Sequence, residues 1–267
     1  MQLEKLTFLD IENIDHLQPE GWTNLKDKLK FYTSNDFCNP IKIIDEDKIV
    51  GIGTAISFDK TAWLGHIIVG EAYRNMGIGF MIVEYLLNYL KQKGIETTLL
   101  LATGLGFPVY VKAGFKKVSD YRFFKKENIL VENSYSNKIQ SYIPEFYSQL
   151  IQLDTFISGE NRERLLMNYL SNSFVFVENK TVRGFYIPEL GDGPIFANTE
   201  AAGIELMRLK YSTVNDAVLP SENKTGIEFL QKCGFVEIER VGARMILGKE
   251  IAWKPEMVYS RIGGNFG

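Results

Sequence analysis

Residues Ala62–Gly94 read AWLGHIIVGEAYRNMGIGFMIVEYLLNYLKQKG, and this stretch decides the fold. Ile67, Ile68 and Val69 form a short β-branched run suited to a strand covered on both faces. Gly77 and Gly79 stand where a helix should begin. From there Ile78, Met81, Ile82, Tyr85, Leu86 and Tyr89 recur at helical spacing and predict one apolar face. Gly94 is the expected residue just past the helix, with Lys91 and Lys93 beside its negative dipole end. A helix entered through Arg74, Asn75, Met76, Gly77, Ile78 and Gly79 suits an anion. Its first N–H groups lack intrahelical acceptors, glycine admits a phosphate close to the backbone, and Arg74 adds a planar fork of donors. Two plainer readings compete on the glycines alone: a simple strand-to-helix turn, or a dinucleotide loop in which Ile82 replaces the third glycine.

The flanking chain extends the pattern in both directions. Ile11–Gln18 and Trp22–Tyr32 predict two helices, and the segment Trp22–Pro40 gathers Trp22, Phe31, Tyr32, Phe37 and the acid Asp36. Ile41–Ile44 and Ile49–Ile56 flank the polar turn Asp45–Lys48, which predicts a hairpin, with Gly51 and Gly53 marking close backbone approach or a bulge. Downstream, Thr97–Ala102 predicts a strand, Val109–Ala113 a short helix ending at Gly114, and Phe115–Phe124 a further strand.

Composition limits the partners. The 267 residues carry a formal net charge of −3 and no basic stripe, which argues against nucleic acid. No apolar run reaches bilayer-spanning length, and MQLEKLTFLD lacks the layout of a signal peptide, so the expectation is a cytoplasmic protein without a membrane partner. Two distant cysteines, Cys38 and Cys233, indicate neither a disulfide framework nor a metal site.

Arg74, Gly77 and Gly79 after a strand, followed by Tyr110-Val111-Lys112-Ala113-Gly114-Phe115, together resemble the two signatures of the GNAT superfamily of N-acetyltransferases. The resemblance implies an α/β fold, a mixed and mostly antiparallel sheet flanked by helices. It also implies acetyl-CoA as acyl donor, with no metal. The backbone of Arg74, Asn75, Met76, Gly77, Ile78 and Gly79 would meet the pyrophosphate. Ile67, Ile68 and Val69 would pair with the pantetheine arm, and Thr103 would join the same donor site. Tyr110 is implied as the general acid for the departing thiolate. The segment around Trp22 and Asp36 resembles the part that roofs the acceptor site. The general base stays open between His66, Asp36 and a water chain.

Beyond the polar stretch Lys125–Ser141 the pattern restarts. Phe174–Val177 and Val182–Ile187 echo the first hairpin, and Phe229–Phe235 echoes Val109–Phe115. At the equivalent of the anion loop stand Asn198, Thr199, Glu200, Ala201 and Ala202, without arginine or Gly-x-Gly. Leu230 stands where the first half has Tyr110. A carboxylate in that first turn suits the helix dipole and repels a phosphate. The whole resembles a subfamily in which an acetyltransferase domain precedes a degenerate copy of itself, here at 1–130 and 138–267. Its second-half signature is carried by Asp154, Gly159, Arg162, Leu165 and Leu166, with departures at Ser158, Glu160 and Asn161. The expected activity is acetyl transfer to the primary amine of a small molecule or amino acid, by a monomer or homodimer. The alternative is an acyl-CoA or metabolite sensor that has kept the cradle without turnover.

Overall fold

The structure is a computed structural model that describes residues 1–127 and 135–267. Residues 128–134, within the expected inter-domain stretch, lie outside the described residues. The chain forms two compact units. The first takes Met1–Lys117, Met245–Lys249 and Gly264–Phe266; the second takes Val118–Arg244, Glu250–Gly263 and Gly267. Two contiguous blocks are the sequence expectation, whereas the units interleave. No local pattern in the C-terminal chain announces its return to the first unit.

In the first unit, β1 (Gln2–Lys5) leads through two 3-10 turns, Phe8–Asn13 and Asp15–Leu17, to α1 (Leu25–Ser34). Those turns replace the helix expected over Ile11–Gln18. Trp22 lies outside α1, because Asn24 caps it by accepting from the Lys26 N–H. Strands β2 (Cys38–Asp45), β3 (Lys48–Phe58) and β4 (Thr61–Val69) continue an antiparallel meander from β1. Then come α2 (Ile78–Gln92), β5 (Thr97–Ala102), α3 (Phe107–Lys112) and β6 (Lys116–Lys125), which leaves the unit at Val118. The sheet runs β1-β2-β3-β4-β5, with the returning strand residues Met245–Gly248 beyond β5.

Helix α2 ends as its glycine demands. Gly94 takes φ +73°, the Ile95 N–H reaches the Leu90 carbonyl and the Gly94 N–H reaches that of Lys91. Its buried face is Ile78, Ile82, Val83, Leu86 and Leu90, while Met81 and Tyr85 are exposed. The expected stripe is therefore rotated, and β3 supplies the reason. A Cβ on Gly53 would sit 2.4 Å from the Ile82 Cγ2, and one on Gly51 3.1 Å from the Ile78 Cγ2. Helix and strand approach where two side chains are missing, and Ile78 and Ile82 take that seat.

The second unit holds a five-stranded antiparallel sheet. Its parts are β7 (Ile139–Ser141), α4 (Tyr147–Ser158), α5 (Glu163–Leu166), β8 (Phe174–Glu178), β9 (Thr181–Tyr186), β10 (Ile195–Ala197) and α6 (Glu200–Tyr211). They continue through β11 (Asp216–Pro220), α7 (Lys224–Lys232), β12 (Val236–Ile238), the Ala243–Arg244 start of β13 (Ala243–Gly248) and β14 (Val258–Ser260). Sheet order is β14-β10-β9-β8-β7, and both β11 and β12 pair with the later part of β6. Leu206, Met207, Leu219, Leu230 and Tyr259 sit in its core. Asp154 and Arg162 are almost wholly buried and joined by two hydrogen bonds of 2.6 and 3.2 Å. An aspartate held this way is a structural partner and is not available to an acceptor.

Candidate active site

Strands β4 and β5 run parallel and pair at only three rungs, Thr61 with Thr97, Ala62 with Thr98 and Trp63 with Leu99. Beyond Trp63 the two strands part, leaving one edge of β4 from Leu64 to Val69 without a β5 partner. The Gly70 N–H donates to the Val50 carbonyl, so by the alternation of an antiparallel ladder the Val69 N–H points away from β3, to that unpaired side. Ile67, Ile68 and Val69 thus lie along a free strand edge.

The chain then turns into α2 through Asn75 at φ +64° and Gly77 at φ +83°. The Met81 N–H is the first to close onto the helix, at the Gly77 carbonyl. Backbone N–H groups of residues 75–80 have no acceptor among the described residues. Arg74, Asn75, Met76 and Gly77 are exposed, and the Arg74 guanidinium lies 3.4 Å from the carboxylate of the exposed Glu71. A Cβ on Gly79 would meet nothing nearer than the Val69 Cγ2 at 3.8 Å, so the space above it is open. The donors fit a diphosphate: a row of free amides, a fixed cation and room for bulk. Thr103 is exposed at the end of β5, where its carbonyl accepts from Gly106 and Phe107 to start α3.

Tyr110 projects from α3, its ring 6.0 Å from that of Phe115. A Cβ on Gly106 would fall 2.8 Å from the Tyr110 ring, so a bare glycine lets the ring lie across the turn. Burial pushes its phenol above the ordinary value near 10. Its hydroxyl makes no hydrogen bond to another described residue. Lys112 on the same helix stacks its ammonium 4.4 Å over Phe80, at the mouth of α2.

His66 sits in a bulge that the sequence pattern does not mark. Ile52 pairs with Ile68 and Thr54 with Gly65, so Gly53 faces two residues, and His66 takes φ +51°. Its ring is edge-on to Trp22 at 5.8 Å and to Tyr32 at 5.5 Å. Burial, with Lys28 nearby, lowers its pKa to about 4, so it is neutral near pH 7. The fold brings Trp22 and His66 together; Asp36 lies on the exposed turn from α1 to β2. Two members of this cluster are absent from the sequence-based set. Tyr32 is gathered with the other aromatics of Trp22–Pro40 and given no role of its own, and Asn265, on the C-terminal segment, carries no local signal.

Comparison with known proteins identifies the family. The sequence pattern of the acetyltransferase (GNAT) family matches residues 7–115, and that of an acetyltransferase (GNAT) domain matches residues 150–260. The chain belongs to the GNAT family of acetyltransferases, with two such domains in tandem. The uncharacterized N-acetyltransferase YobR of Bacillus subtilis is 26% identical over 31% of this chain and 34% of its own length. The uncharacterized protein YyaT of the same organism is 30% identical over 36% of this chain and 64% of its own. The chain thus matches less than two thirds of either relative. Among solved structures, a Pyrococcus horikoshii protein proposed to be an acetyltransferase superposes with a TM-score of 0.82 at 20% identity, covering 100% of this chain and 95% of that one. A GCN5-related N-acetyltransferase from Sphaerobacter thermophilus gives 0.63 at 11% identity, over 95% and 98%. At these identities the likeness is one of fold.

Proposed function

We propose that the first unit is an N-acetyltransferase that takes its acyl group from acetyl-CoA and passes it to the primary amine of a small molecule or amino acid. The observation that carries the reading is the run of acceptor-free amides at residues 75–80 behind Arg74, next to the unpaired edge of β4. Bound there, acetyl-CoA would supply an activated thioester.

The chain's own residues do the rest. The amides and Arg74 hold the diphosphate, and the Ile67–Val69 edge offers its backbone to an extended arm. The Val69 N–H faces the place where negative charge develops on the carbonyl oxygen, where one well-aimed donor is worth roughly 3 kcal/mol. The amine nitrogen forms the new C–N bond as the C–S bond breaks. Tyr110 gives its proton to the sulfur, and the proton lost by the amine passes through water to restore the phenol. Burial keeps Tyr110 protonated throughout the working pH range, which an acid needs and a base does not. The free Tyr110 hydroxyl favours turnover over a sensor that merely binds.

The test is free-thiol release from acetyl-CoA across a panel of amines, with amino acids included. Turnover on at least one amine, abolished in a folded Tyr110→Phe variant, is the expected result. Coenzyme A binding without thiol release on any amine would transfer the reading to a sensor.

A further inference from the structure

Tyr32 lies fully buried between two polar neighbours. Its hydroxyl oxygen is 2.6 Å from the Asn265 Nδ2 and 2.7 Å from the His66 Nδ1. Room for this contact comes from Gly65, where a Cβ would stand 2.8 Å from the Asn265 Cβ and 3.3 Å from the Tyr32 hydroxyl. An amide NH2 can only donate, so the phenol oxygen accepts from Asn265. The phenol is neutral, because burial holds its pKa well above 10, and its single proton is left for His66 Nδ1. A neutral imidazole that accepts at Nδ1 carries its own proton at Nε2. That Nε2 makes no hydrogen bond to a described residue.

We propose that Asn265 is a positioning residue: acting through Tyr32, it fixes His66 as the Nε2–H tautomer, a hydrogen-bond donor toward the acceptor molecule and not the base that deprotonates the amine. This rests on the reading that the acceptor enters beside Trp22 and His66. It narrows the substrate class. The preferred amine carries an oxygen able to accept from Nε2–H, such as a carboxylate, carbonyl or hydroxyl, and a plain alkylamine of the same size is the poorer substrate.

The protein has two histidines, which makes the tautomer directly readable. His16 is an internal standard, since its Nε2 lies 2.7 Å from the Ile49 carbonyl, which can only accept. Long-range ¹H–¹⁵N correlation on the full chain labelled at histidine should show Nε2–H for both rings near pH 7.5. In Asn265→Asp the carboxylate accepts a hydrogen bond from the phenol O–H, the Tyr32 oxygen is left to accept from His66, and His66 alone should switch to Nδ1–H. The kinetic counterpart is about a tenfold or greater advantage in kcat/KM for an oxygen-bearing amine over its alkyl isostere, lost in Asn265→Asp and kept in Asn265→Gln. Nδ1–H at His66 in the wild type, or an unchanged His66 in folded Asn265→Asp, overturns the proposal. If no amine turns over at all, the acetyl-transfer reading fails, and the tautomer measurement still decides this one.

Discussion

The two halves repeat the same local devices and differ where a ligand would sit. Gly53 in β3 and Gly184 in β9 occupy matching hairpin strands. Each lacks the Cβ that would collide with the facing helix, at 2.4 Å from Ile82 in one unit and 2.9 Å from Leu206 in the other. Helices α3 and α7 close alike, with Phe115 N–H to the Tyr110 carbonyl and Phe235 N–H to that of Leu230, both at 3.0 Å. At the helix entrance the likeness stops. The first unit has Arg74, Gly77, Gly79 and a row of free amides. The second has Thr199, whose side chain accepts from the Ala202 N–H, and then Glu200. Gly53 and Gly184 serve a core that each unit needs whether or not a ligand is bound. The second unit keeps a fold without the apparatus.

That contrast can be broken in several places. The largest effect is expected in the second unit, where Asp154→Ala removes the carboxylate that Arg162 bonds twice in a buried site, at a cost of roughly 3–5 kcal/mol. Denaturant unfolding should record that loss while calorimetry finds coenzyme A affinity unchanged in the protein that remains folded. Tyr110→Phe gives the first unit an apolar residue like Leu230; kcat should fall about 10²–10³-fold with coenzyme A affinity intact. Gly79→Glu imitates Glu200 in a space that is open, and titration calorimetry should record a loss of coenzyme A affinity of about 100-fold at near-normal stability. Gly53→Ala and Gly184→Ala test the shared device. Each should cost roughly 1–3 kcal/mol in thermal or denaturant unfolding.

The smallest effect is a pH dependence confined to the first unit, which holds both histidines. Folding lowers the His66 pKa from its ordinary 6.5 to about 4, so between those values the unfolded chain binds the proton that the folded one refuses. Stability from this group is full above about pH 6.5 and is lost as pH falls toward 4. His66→Gln should flatten that part of the stability profile relative to wild type.

Much of this was legible in the chain, for physical reasons. The turn into α2 announces itself because left-handed backbone at Asn75 and Gly77 restricts the residue types allowed there. The hairpins and the closing glycines Gly94, Gly114 and Gly234 are local in sequence. The buried stripe of α2 departs from the periodic pattern because it is set by holes in β3, at Gly51 and Gly53. The bulge at His66 depends on pairing register, which alternation within one strand does not contain. Asn265 reaches Tyr32 only after the C-terminal chain returns to the first unit, a long-range event with no local pattern.

The central claim is that one helix entrance, and not its counterpart, binds the acyl donor. Amide chemical-shift mapping during titration with coenzyme A tests it most directly. The account predicts saturable shifts at Val69 and residues 75–80, with residues 198–203 unmoved. Shifts centred on 198–203, or none at 75–80 in a titration that releases heat, would contradict it.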